Sequence, residues 1–98
     1  MGKYNLEGKQ MKKTEYNPHL RAAFLEVVEN QLRDNNPPET KQTLDRLIKE
    51  GYSKDESKEM IGSVVATETF YVLKNQEPFN QERFVKALNK LPELPGEE

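Results

Sequence analysis

Cysteine is absent from the 98-residue chain, and so is tryptophan. Without cysteine there is no disulfide framework, no thiolate metal site and no cysteine nucleophile. Histidine occurs once, as His19. Long apolar runs are missing too: the longest are a few residues, far short of the ~18 that a membrane-crossing helix needs. No apolar signal-peptide core follows the first residues, so the expected location is the cytoplasm. Glycine-rich phosphate-binding loops are lacking. Nothing alternates with period two over a useful length, which predicts no strands, and no internal repeat is visible.

What the chain does have is charge. Charged residues make up 33% and the hydrophobic set 34%, with mean hydropathy -0.97, so a lean core under a heavily charged surface is expected. One core is all that this length supports, because two would each be too small to be stable. Fifteen Lys and Arg against seventeen Asp and Glu give a net charge of -2, which argues against a general attraction to nucleic-acid phosphates. The balance is uneven along the chain. Lys3, Lys9, Lys12 and Lys13 face only Glu7 and Glu15 in the first fifteen residues, and the chain ends on Glu97-Glu98.

Residues 1–15 show neither helical nor strand periodicity and are expected to form a mobile basic arm. Met11-Lys12-Lys13 resembles a bacterial gene start, which suggests that the preceding ten residues are an extension or a mis-set start. Residues 16–92 are expected to form a single all-α domain, a four-helix bundle-like fold with helices at about 17–34, 38–50, 54–75 and 80–91. Residues 93–98 are expected to be a disordered acidic tail.

Each helix is announced by its ends. Asn17 can cap the first and Pro18 suits its first position, where a missing N–H costs nothing; Leu20, Ala23, Phe24, Val27, Val28 and Leu32 then recur on one face. Asp34-Asn35-Asn36-Pro37-Pro38 reads as a turn. The second helix ends at Gly51, which accepts a left-handed conformation. Its stripe of Leu44, Leu47 and Ile48 is narrow, so an edge position is expected. Ser53 and Glu56 have the spacing of a capping box for the third, longest helix. Met60, Ile61, Val64, Val65, Tyr71 and Val72 lie on one side of it, and it is expected at the centre. Asn80 caps the fourth helix, with Phe84, Val85, Leu88 and Leu91 as its stripe.

The string NPHLRAAFLEVVENQL, the PPE that follows it, the segment GYSKDESKEMIGSVV and the closing EPFNQERFVKAL resemble a family of small bacterial all-helical proteins of unknown function, over about residues 17–91. Members of that family carry histidines four apart on the first helix and again at the start of the long one. Such pairs share a helical face and could together hold a metal ion. The matching positions here are Arg21 and Leu25, then Asp55 and Glu59, so the pattern is broken. The resemblance implies a metal site in relatives and argues against one in this chain; it supplies no activity.

Several polar positions stand out from simple bundle packing. Glu68 falls between Ile61, Val65 and Val72 on the wheel, and a buried carboxylate must be paired or neutralised. It marks a functional site, or else it lies where the stripe meets solvent or pairs with an Arg or Lys of another helix. Gln31 is similarly placed on the first helix, where a hydrogen bond across the bundle is expected. His19 sits in a first helical turn, where a surface imidazole is the plainer reading. Ser57 and Ser63 have no positioned base, so no catalytic residue is named and no cofactor is expected. Gly62, with Ser63 and Ala66, forms a small-residue strip suited to close approach by another helix, of this chain or of a second copy. The segment around Gly51-Tyr52-Ser53 has the outline of a helix-turn-helix. The turns that would meet DNA, however, carry Asp55, Glu56 and Glu59 against Lys54 and Lys58, which disfavours phosphate binding.

The leading expectation is therefore a non-catalytic helical module acting through protein contacts, as a homodimer or with another protein, through Gly62, Phe70, Tyr71 and Phe79. A metal-binding or metal-dependent protein with a degenerate site, using His19, Glu29, Asp55, Glu59 or Glu68, is the alternative, and a nucleic-acid-binding regulator the third.

Overall fold

The computed structural model describes residues 17–95, which form four helices and no strand: α1 (Pro18–Asp34), α2 (Pro38–Lys49), α3 (Lys54–Asn75) and α4 (Gln81–Lys90). All four helices lie within one residue of the expected bounds. The arm expected over residues 1–15 and the last three residues of the acidic tail lie outside the described residues.

The ends are built as the capping chemistry dictates. Asn17 accepts from the His19 N–H at 2.7 Å, with Pro18 opening the helix. Ser53 and Glu56 complete a reciprocal box, each side chain accepting from the other's backbone N–H at 3.0 and 2.9 Å. Asn80 accepts from the Arg83 N–H at 2.9 Å. Gly51, with φ of +108°, turns the chain after α2, and Asn35 and Gln76 take left-handed conformations after α1 and α3.

The core is formed by Val28, Leu44, Leu47, Ile61, Val64, Val65, Phe84, Leu88 and Leu91. Burying each of these aliphatic or aromatic side chains contributes roughly 1.5–3 kcal/mol. Helix α3 touches every other helix, as expected of a central element, and α1 and α4 do not touch each other.

Helix α2 corrects the expectation of an edge position, because it too packs against all three others. Thr40 and Thr43 are buried alongside Leu44 and Leu47, and these threonines widen a face that looked narrow when only aliphatic residues were counted. Thr40 Oγ1 donates to Gln31 Oε1 at 2.8 Å, tying α2 to α1. Arg46 reaches from α2 to the end of α4, donating to the carbonyls of Leu91 and Leu88 at 2.9 and 3.1 Å.

Other members of the expected stripes lie outside the core. Leu20 and Val27 of α1, Ile48 of α2 and Tyr71 of α3 are exposed. For α1 the reason is that among the described residues only the helices α2 and α3 lie against it, and two neighbours leave part of a wide apolar arc in water. Past α4, Leu91 is buried and Leu94 packs on the core, so the chain stays on the bundle beyond the expected start of the tail at residue 93.

Candidate functional site

The corner where α3 runs into α4 gathers most of the residues that packing explains least. Its frame is Glu68, three per cent exposed in the second half of α3. A carboxylate so placed requires donors, and α4 supplies them. Arg83 donates to its two oxygens through Nε at 2.7 Å and Nη2 at 2.8 Å, and the Asn80 backbone N–H donates at 2.8 Å. The same guanidinium donates to Glu77 at 2.9 Å and lies 4.6 Å from the centre of the Tyr71 ring, within cation–π range.

One buried acid thus holds the first turn of α4, the connection before it and an aromatic ring of α3. The hydrogen bond from Arg83 holds the Glu68 carboxyl below the usual carboxylate range; burial opposes this, and the Asn80 N–H adds to it. Arg83 is driven the other way, its pKa raised by Glu68 first and by Glu77 next. With three donors on its two oxygens, this carboxylate is accounted for as a structural anion.

Around this frame the apolar side chains face water. Phe70 is 59% exposed, Leu73 68%, Phe79 49% and Tyr71 43%. Phe79 is steadied from beneath by Phe84, the ring centres 5.4 Å apart and tilted by 53°, an arrangement aromatic pairs favour.

Gly62 is not part of this surface. It is buried, and a Cβ built on it would meet Leu25 of α1 at 3.5 Å, an ordinary contact. The small strip therefore faces this chain's own first helix, and does not strictly require glycine there.

The residues named for a metal are dispersed among other duties. His19 and Asp55 are exposed in the first turns of α1 and α3. Glu59 pairs with Arg21 across the α1–α3 interface, Glu29 with Lys58 at 2.6 Å, and Glu68 with Arg83. Among the described residues no three His, Asp or Glu side chains come together as a metal would require. Two of the four positions singled out by the family resemblance, Arg21 and Glu59, do meet, as an ion pair.

Sequence reasoning missed Leu73 and Arg83. Leu73 lies off the stripe assigned to α3, and its neighbour Phe70 was the available signal. For Arg83 the signal is electrostatic: it occupies the third position of α4, where the positive end of the helix dipole disfavours a cation. A basic residue at such a position calls for a nearby carboxylate, and Glu68 and Glu77 provide two.

No family model matches the chain, and no curated protein or solved structure shows significant similarity to it. No helix among the described residues is long and apolar enough to cross a membrane.

Proposed function

We propose that the chain is a non-catalytic, cytoplasmic helical module that acts through protein contacts made at the α3–α4 corner. The observation that carries this reading is the exposure of four large apolar side chains, Phe70, Tyr71, Leu73 and Phe79, within ten residues. Single exposed apolar residues are ordinary, whereas groups of them mark contact surfaces. Aromatic side chains are also the ones on which interface energy concentrates. The support beneath Tyr71 from Arg83 and beneath Phe79 from Phe84 limits the entropy lost when a partner docks.

The test is a photo-crosslinking amino acid placed at position 70 and, in a second variant, at Gln42, an exposed position of α2. Adducts with protein from position 70, and none or few from position 42, are expected. Equal labelling from the two positions, or none from either, would sink the proposal.

A further inference from the structure

We infer that the partner is a second copy of this chain, joined at the α3–α4 corner about a twofold axis so that Lys74 of each copy faces Glu82 of the other. The inference rests on the reading of that corner as a contact surface and specifies what occupies it.

A twofold contact uses the same surface on both copies, so the surface must complement itself, apolar to apolar and cation to anion. The corner is built that way. Lys74 adjoins Leu73 in the last turn of α3, and Glu82 lies in the first turn of α4, three residues after Phe79. Both are exposed, and among the described residues neither makes an ion pair or hydrogen bond. The other charges of the corner, Glu68, Glu77 and Arg83, are engaged with one another.

Among the described residues, the corner therefore offers a second molecule a free cation and a free anion, with an apolar group between them in sequence. A surface with free charge of one sign would repel its own copy. This one attracts it, in a fixed register, at the rim where charges select partners more than they add affinity.

Sedimentation equilibrium of the full chain, with Lys74→Glu, Glu82→Lys and the double exchange, tests the inference. The unaltered protein is expected to show a monomer–dimer equilibrium. Because each reversal disturbs two symmetry-related pairs, each should weaken dimerisation about three- to tenfold, and the double exchange should restore it to within about twofold of the original.

Both reversals place a charge unfavourably for its helix dipole. A merely structural effect would therefore accumulate in the double variant instead of cancelling. A dimer unaffected by either reversal, or weakened further by the double exchange, overturns the inference. So does a protein that is monomeric at every concentration. In that case position-70 crosslinks to a different protein would leave the broader reading of the corner standing, and their absence would remove it as well.

Discussion

Between Ile61 and Glu68 every residue of α3 except Thr67 is buried; between Phe70 and Asn75 only Val72 is even partly covered. Both stretches are rich in apolar side chains, so composition does not separate them. Neighbours do. The first stretch faces α1 through Gly62 and Leu25, with the ion pairs Arg21–Glu59 and Lys58–Glu29 alongside. The second meets α4 through the Tyr71 ring under Arg83 and leaves Phe70 and Leu73 in water. Apolar residues on a helix become core where another element lies against them and stay in water where none does.

The sharpest way to break this contrast is to truncate one phenylalanine from each region. Phe84→Ala, in the core, is expected to cost about 3–5 kcal/mol in urea unfolding. Phe70→Ala should stay within about 0.5 kcal/mol of the unaltered protein while weakening the protein contact about tenfold or more. If Phe70→Ala costs stability on the scale of Phe84→Ala, the end of α3 is part of the core and the contrast is lost.

Glu68 joins the two regions, and its removal should come next in size. Complete loss of one partner of a buried pair costs about 3–5 kcal/mol. Here Arg83 is about a third exposed and keeps Glu77, so about 2 kcal/mol is expected for Glu68→Ala. The folded protein holds this carboxyl below its ordinary value of 4.5. Its contribution is therefore fully present above pH 4.5 and is lost as pH falls through the lower folded value. Melting temperature should thus decline less steeply below pH 4.5 in Glu68→Gln than in the unaltered protein. Parallel declines would show that the pairing with Arg83 does not stabilise the fold.

The fold was legible because its punctuation is local. Asn17-Pro18, Ser53 with Glu56, Asn80 and Gly51 each satisfy or end a helix through chemistry contained in a few residues. That a partner for Glu68 was needed was also legible, from one acid in an apolar stripe. Which residue met it was not, because Arg83 is fifteen residues away and its position depends on how α4 folds back. The same holds for Leu20, Val27 and Tyr71: periodicity places a residue on a face, but only the packing of other helices decides whether that face is covered. Thr40 and Thr43 are the converse case, where a small polar residue is buried because its hydroxyl or methyl fits the interface.

Two glycines extend the comparison to the backbone. Gly51 turns the chain into α3 with φ of +108°, a conformation L side chains rarely adopt, although nothing lies within 4 Å of where a Cβ would be. Gly51→Ala is therefore expected to cost about 1–2 kcal/mol through backbone strain alone. Gly62 has an ordinary helical backbone and room for a methyl against Leu25. Replacing it with alanine should raise stability by up to about 1 kcal/mol, since mid-helix glycine is disfavoured by that amount. Opposite signs in thermal unfolding are expected. A destabilised Gly62→Ala would mean that α1 needs closer access to α3 than the 3.5 Å contact implies.

The smallest effect should come from the ion pair on the covered half of α3. Arg21 and Glu59 join α1 to α3 through two hydrogen bonds, and the bond to Glu59, followed by its charge, raises the pKa of Arg21. Yet Arg21 is about half exposed, and water and salt screen such a pair. Its net contribution is expected to be small. Arg21→Met keeps an apolar stem over the interface and removes the charge. Its difference from the unaltered protein should therefore be small at low salt and close to nothing at about 1 M salt, where the screening length is near 3 Å. A large difference that survives high salt would mean that the hydrogen bonds from Arg21 to Glu59 hold α1 on α3 more than screened charge does. The covered half of α3 would then depend on α1 for more than the apolar contacts at Leu25 and Val28.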